Sequence, residues 1–459
     1  MKKIKHITIL IFFIFCTSPK PKPRKPIIFK PISKEALASA VIYEANIRQY
    51  SNEGTFNAFA KDLNIIKEMG VKIIWFMPIN PISKTKSKGP LGSYYAVSSY
   101  KKINPEFGTL EDFKKLVKKA HELGIYVIID WVPGHTGWDH EWITNNDDYY
   151  IKNKNGDIID PINPKTGNSF GWTDVADLNY DNLEMRNAMR EAMIYWVKES
   201  NIDGFRIDQA YAIPKDFYDK TFSAIKKIKP VFLLAETDIY HPGGIDLINK
   251  FDASYDWPGH HLLKEIVKGE KNIEDWDKYQ NSLFENYGKE NILISFISNH
   301  DENSWNGTVQ ESFGKAAEAV IALQYTSPSM PLIYSGQEYD LNKRLLFFEK
   351  DSFSKIKGPA FKLLKKLGHL KNNNQALEIG IEGGEYKRIK TTKDKRIIAF
   401  QRTKGKDTLI FIANMNNDYS QFSMDFDAKL KRYQDLKEKQ LSSSYQYDMK
   451  PWEFWILIK

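Results

Sequence analysis

Short apolar runs recur between residues 40 and 335, separated by stretches whose apolar positions follow helical spacing. The runs are Ala40–Ala45, Val71–Met77, Ile125–Trp131, Gly204–Asp208, Val231–Glu236, Ala253–Trp257, Ile292–Ser298 and Pro331–Ser335. They lack polar alternation, which is the mark of strands buried on both faces in a parallel sheet. Among the intervening segments, Thr109–Leu123 opens on an N-cap Thr with acids in its first turn and stops at Gly124. In Leu183–Ser200, Met185, Met189, Ala192, Met193 and Trp196 form one apolar face. Strands alternating with helices in this number predict an α/β fold, a (β/α)8 TIM barrel. The competing doubly wound sheet lacks its Gly-rich phosphate loop after the first strand.

Two stretches depart from the alternation. Trp131 and Leu183 are separated by a segment rich in Asp, Asn, Gly and aromatics, too long for a simple connection. It predicts a small subdomain inserted after the third strand, at about 133–182. From about Gly380 the pattern becomes short alternating runs with polar turns (Arg396–Arg402, Thr408–Asn414, Phe422–Phe426, Trp452–Ile458), which predicts a C-terminal antiparallel β domain. The expected layout is a signal peptide at 1–15, a Pro/Lys-rich tether at 16–36, a barrel at 37–375 and the β domain at 376–459.

Charge matters through its location. The net charge is +8, but residues 1–34 carry nine Lys or Arg and no acid, so removing those nine leaves −1 for the rest. A nucleic-acid binder places its basic excess on a folded face, so nucleic acid is not an expected partner. Lys2, Lys3 and Lys5 precede a short apolar stretch, Ile7 to Phe15, in the order of an export signal. It ends at Cys16, the single cysteine, which rules out an intramolecular disulfide. Ser18–Pro26 then alternates Pro with Lys or Arg, as an extended spacer does. The layout resembles a bacterial lipoprotein signal, with Phe15 where a small residue is usual. It implies an exported protein lipidated at Cys16 and touching membrane only through that anchor.

Three acids close three of the runs: Asp208 after Gly204-Phe205-Arg206-Ile207, Glu236 after Leu234-Ala235, and Asp301 after Phe296-Ile297-Ser298-Asn299-His300. The carboxyl end of a barrel strand is where catalytic groups gather. Two carboxyl groups about 5 Å apart cleave a glycosidic bond with retention, one as nucleophile and one as acid and then base. Arg206, two residues before Asp208, shares its face and favours the charged form a nucleophile needs. Glu236 follows an apolar run with no adjacent cation, so it is expected to hold a proton as a general acid. His300 beside Asp301 suits hydrogen bonding to sugar hydroxyls while Asp301 steadies an oxocarbenium-like transition state.

These segments are similar to the diagnostic segments of the α-amylase superfamily of glycoside hydrolases. Asp130-Trp131-Val132-Pro133-Gly134-His135 resembles its first segment, and Val175-Ala176-Asp177-Leu178-Asn179 its short motif in the inserted subdomain. The likeness runs from Gly92-Ser93-Tyr94-Tyr95 to Ile333-Tyr334-Ser335-Gly336-Gln337-Glu338. It implies Asp208 as nucleophile, Glu236 as acid/base and Asp301 as transition-state stabiliser. It further implies His135 and His300 on sugar hydroxyls, Arg206 holding the nucleophile, Tyr95 stacking on the sugar, and Asp130 supporting the site. The implied substrate is an α-linked glucan such as starch or a maltooligosaccharide, with no cofactor required.

Two positions depart from the family pattern. Gly134 stands where an Asn helps hold a structural calcium, leaving Asp174 and Asp177 as oxygen donors. Gln209-Ala210-Tyr211 stands where starch-acting members carry a Lys-His pair, on the aglycone side. Trp138, Trp172, Trp257 and Trp305 are candidate sugar platforms at the mouth, whereas His121, His140, His241, His260 and His261 show no metal-ligand spacing. The expected activity is retaining hydrolysis of α-1,4 bonds. The alternatives are an α-1,6-acting or transglycosylating relative and a non-enzymatic glycan-binding accessory protein.

Overall fold

Along most of the barrel strands alternate residues enter two different apolar clusters, and this parity organises the molecule. The computed structural model describes residues 31–163, 166–288, 290–433 and 438–459. The expected signal, Cys16 and most of the expected Pro/Lys-rich tether lie outside the described residues. Among those described, no helix is long and apolar enough to cross a membrane.

The barrel strands are β1 (Ile42–Ala45), β2 (Ile73–Phe76), β3 (Tyr126–Trp131), β4 (Gly204–Ile207), β5 (Phe232–Ala235), β6 (Ala253–Tyr255), β7 (Ile292–Phe296) and β8 (Met330–Tyr334). Each pairs in parallel with its sequence neighbours and β8 closes on β1, giving the expected (β/α)8 barrel. Ile42, Ile73, Ile128, Phe232, Ala253, Ile294 and Met330 fill the lumen. The intervening Tyr43, Ile74, Ile129, Phe205, Leu233 and Ile333 face the helices. A fully buried residue of this size contributes roughly 1.5–3 kcal/mol, so the runs have to be apolar on both faces.

One glycine is required by contact. At Gly204 an added Cβ would lie 1.8 Å from the Phe232 carbonyl oxygen, and φ is +156°. A side chain there would push β5 away from β4 and separate the two residues that follow these strands, Asp208 and Glu236.

The helix predicted after Thr109 spans Leu110–Glu122, with Thr109 and Asp112 forming a reciprocal capping box. In the helix Leu183–Ser200 all five expected apolar residues are buried, and Trp196 donates to the Tyr100 carbonyl at 2.7 Å. Between β3 and that helix, His135–Gly137 pairs antiparallel with Val175–Asp177, with His135 opposite Asp177. The C-terminal region forms a sheet in the order Glu385–Arg388, Ile397–Lys404, Asp407–Asn414, Phe454–Ile458, Ala428–Arg432, Glu438–Leu441. Strand Ser420–Phe422 pairs with Tyr447–Met449 apart from that sheet.

Candidate active site

The lumen parity that buries Ile42, Ile128 and Phe232 near the base puts Glu44, Asp130 and Arg206 near the carboxyl end, with Asp208 and Glu236 one residue past their strands. The backbone N–H of Asp208 still bonds to Trp131 O at 2.9 Å, and that of Glu236 to Ile207 O at 3.0 Å, so each carboxylate is held by a rigid strand edge. Asp301 is placed differently from its expected strand end. It lies beyond β7, at the head of the short helical turn Glu302–Asn306, and its side chain is about a third exposed.

Arg206 organises the cluster. It is fully buried, and Nη1 donates to Asp130 Oδ1 at 3.0 Å and to Asp208 Oδ1 at 2.7 Å, while Nη2 forms an ion pair with Glu236 Oε1 at 2.8 Å. Trp75 donates from Nε1 to Asp130 Oδ2 at 3.2 Å, fixing the carboxylate on its far side. The expectation that Glu236 has no cation nearby is corrected. Arg206 reaches it from the neighbouring strand, and Gln209 donates its backbone N–H to Glu236 Oε2 at 2.7 Å. Gln209 does so with φ at +41°, a left-handed backbone in a residue with a Cβ.

The two carboxyl groups nevertheless differ in the range where they titrate. Burial raises the Glu236 carboxyl to about 7, against the opposing pull of Arg206. Burial also raises Asp208 and Asp130, each to about 6, with Arg206 opposing more directly through its hydrogen bonds. Glu236 stays above Asp208, so near neutral pH the pair favours a protonated Glu236 beside an ionised Asp208. Arg206 itself is held well above its ordinary value, since Asp130 and Glu236 outweigh the cost of its burial.

The sugar-binding candidates come together around these carboxylates. Tyr95 stacks on His300 with centroids 5.5 Å apart, and its hydroxyl is 2.8 Å from His300 Nε2 and 3.1 Å from Asp130 Oδ2. Burial pulls His135 down to about 4, leaving a neutral imidazole whose Nδ1 has no partner among the described residues. Tyr95, His135, Asp208, Glu236, His300 and Asp301 line one open cleft of about 1060 Å³.

Of the four candidate platforms, Trp172 and Trp305 also line this cleft. Trp172 stacks on Phe170 at 4.6 Å, and Trp305 packs on Phe347 at 5.3 Å. Trp138 instead lies under Lys86 and donates to Thr173 O at 3.0 Å, and Trp257 packs on Tyr255 and Phe296. Tyr211 stacks on His241 with centroids 4.4 Å apart and rings 4° from parallel. His121 and His260 serve structure, paired with Asp203 and Glu302, and His140 caps the turn Glu141–Asn145.

Sequence reasoning missed Glu44, Lys88, Phe347 and Phe348. Glu44 is an acid inside an otherwise apolar strand, which was the available signal. Lys88 bears on calcium, because its Nζ lies 2.9 Å from Asp174 Oδ1 and donates to Gly171 O at 2.9 Å. The Gly134 carbonyl accepts from Leu178 N at 3.1 Å, and among the described residues no three His, Cys, Asp or Glu side chains cluster as metal ligands. Asp174 already has a cation, so the residues present do not fit a structural calcium at this junction.

A closed parallel barrel with buried carboxylates gathered at the carboxyl ends of β4 and β5 defines the class: a (β/α)8 barrel with an enzyme-type site at its mouth. Residues 41–232 match the family model for the alpha amylase catalytic domain. It is 27% identical over 332 residues to Alpha-amylase 3 of Dictyoglomus thermophilum, covering 65% of this chain and 64% of that protein. It is 29% identical over 361 residues to Malto-oligosyltrehalose trehalohydrolase of Saccharolobus solfataricus, covering 69% and 60%. The chain thus spans a little under two thirds of the length of these relatives. Among solved structures, the noncanonic maltogenic alpha-amylase AmyB from Thermotoga neapolitana superposes with a TM-score of 0.82 at 26% identity, covering 92% of this chain and 99% of that one.

Proposed function

We propose that this protein is a retaining glycoside hydrolase that cleaves α-1,4-glucosidic bonds in starch-type glucans or maltooligosaccharides. The observation that carries the reading is the single Arg206 guanidinium bound to both Asp208 and Glu236. One rigid fork shared by two carboxylates holds them near each other, which supports the close pair used for retention.

Glu236 protonates the glycosidic oxygen as that bond breaks, while an Asp208 carboxylate oxygen forms a bond to the anomeric carbon. The result is a glycosyl ester on Asp208 and a free chain end. Glu236, now ionised, takes a proton from water, whose oxygen attacks the anomeric carbon and releases Asp208. Asp301, partly open to the cleft, faces the positive charge that develops in both steps. Tyr95, His135 and His300 hold the sugar, and Trp172 and Trp305 offer flat faces to the units beyond it.

A second reading is transfer to a sugar acceptor. The Tyr211–His241 stack favours it, because a flat aromatic surface beside Glu236 would retain an acceptor where water has to attack. The test is the product profile on maltoheptaose and panose, with Asp208→Asn as the blank. Shorter maltooligosaccharides support hydrolysis, and products longer than the substrate support transfer. Glucan binding without any release supports the accessory-protein reading, and turnover in the blank at the parental rate overturns the role of Asp208. Export and lipid attachment at Cys16 belong to this proposal on the sequence pattern alone. Cys16→Ser should move the protein from the membrane fraction to the soluble fraction.

A further inference from the structure

We propose that Glu44, buried beneath the cleft on β1, is a positioning residue that holds His300 as an imidazolium in a fixed orientation toward the bound sugar. The inference rests on the hydrolase reading for its purpose, though its geometry stands independently. Glu44 Oε1 lies 2.5 Å from His300 Nδ1, and neither side chain reaches solvent appreciably. Glu44 Oε2 has no partner among the described residues, so His300 is the group that compensates this carboxylate.

Counting protons shows that the Glu44–His300 pair holds one proton more than an ionised carboxylate and a neutral ring provide. Tyr95 has one hydroxyl proton and two neighbours, Asp130 Oδ2 at 3.1 Å and His300 Nε2 at 2.8 Å. If Nδ1–H serves Glu44 and the ring is neutral, Nε2 requires the Tyr95 proton and Asp130 loses it. If the ring is an imidazolium, Nδ1–H donates to Glu44, Nε2–H donates to the Tyr95 oxygen, and Tyr95 donates to Asp130. Every contact then has its own proton. The chain continues through Asp130 Oδ1 to Arg206 and from there to Asp208, so Glu44 reaches the nucleophile's holder without touching substrate.

The surroundings agree. His300 is faced by Glu44 from β1, the edge of Trp75 from β2, Tyr95 from the following loop, Asp130 from β3 and Arg206 from β4. Asp301 of its own loop lies 3.5 Å from Nε2, and on β8 the Tyr334 hydroxyl senses Glu44 and Asp301. Burial opposes the ring's charge, but Asp301 and Glu44 outweigh it and raise His300 to about 9. Burial raises the Glu44 carboxyl above its ordinary range, with His300 pulling against that rise.

The experiment is a titration of ¹⁵N-imidazole-labelled full-length protein, with His300→Asn assigning the signal. In the parent, His300 should remain protonated through pH 8. In Glu44→Gln its midpoint should fall by at least about one unit, a tenfold lower charged-to-neutral ratio at pH 8, and Glu44→Asp should restore most of it. At pH 7, kcat/KM in Glu44→Gln should fall about tenfold, while the same change in a His300→Asn background should cost less than about twofold. A parental His300 that titrates near the ordinary 6.5 overturns the proposal. An unchanged midpoint in Glu44→Gln also overturns it. If no glucan is cleaved, the hydrolase reading falls while the titration still decides Glu44.

Discussion

Two fully buried arginines show opposite uses of the same side chain. Arg206, at the barrel mouth, is surrounded by Asp130, Asp208 and Glu236 and is held well above its ordinary pKa. Arg402, where the C-terminal sheet meets the barrel, donates to the backbone carbonyls of Thr326, Glu378 and Gly384, and burial lowers it to about 10. No carboxylate bonds to it among the described residues. Carbonyl dipoles hold a cation in place without responding to it. Carboxylates respond, because the cation sets which of them keeps a proton. The mouth therefore places its charge where it controls protonation, and the junction places its charge where it joins two regions of chain.

Breaking both sites should separate these roles. Arg206→Met should lower kcat/KM by at least about 10³-fold in a reducing-sugar assay, because Asp208 and Glu236 lose both orientation and counter-charge. Arg402→Met should leave kcat/KM within about twofold but cost roughly 1–3 kcal/mol in a urea melt, from the abandoned carbonyls.

The pH profile sharpens the contrast. With Asp208 near 6 and Glu236 near 7, activity should peak between those values, falling on the acid side as Asp208 protonates and on the alkaline side as Glu236 ionises. The pair titrates together, so the limbs report the coupled site. Glu236→Gln should remove the alkaline limb, and with a substrate whose leaving group needs no protonation, added azide should rescue turnover by replacing the activated water. Folding stability follows the same groups. Both folded values lie above the ordinary 3.8 and 4.5, so their contribution is complete below about pH 4 and is lost as pH rises past about 7. Melts across that interval should decline in the parent and decline less in Asp208→Asn.

Smaller effects are expected away from the carboxylates. Trp305→Ala removes a half-exposed ring from the cleft and should raise KM for maltoheptaose by about 5- to 20-fold with kcat little changed, consistent with about 1–2 kcal/mol of uniform binding. Treatment with EDTA should shift Tm by less than about 1 °C, since Lys88 already satisfies Asp174.

The barrel was legible because both faces of every strand are buried, so each of the eight strands is a run without polar alternation. The pairing of Arg206 with Asp208 was legible for a related reason: two residues along a strand is one face. The Arg206–Glu236 contact was not legible, because it crosses between strands whose register no local spacing encodes; β4 sets Arg206 opposite Leu234 of β5. Glu44 was hidden by its setting, as a lone acid in an apolar run carries no spacing signal, and its partner His300 lies 256 positions away. Trp257 and Trp138 look like Trp172 and Trp305 in sequence. Packing on Tyr255 and on Lys86 separates them, which composition cannot express.

The left-handed turn at Gln209 has a consequence for how this site tolerates change. Its peptide N–H serves Glu236, while its side chain borders the cleft, so the two duties are carried by different atoms of one residue. A saturation library at this position would vary what the substrate meets while the bond to the acid persists. Gly and Asn would relax the backbone, and Pro alone would delete the donor. Under the proposed hydrolase reading, position 209 is thus a natural place to retune which glucans are accepted without rebuilding the groups that cut them.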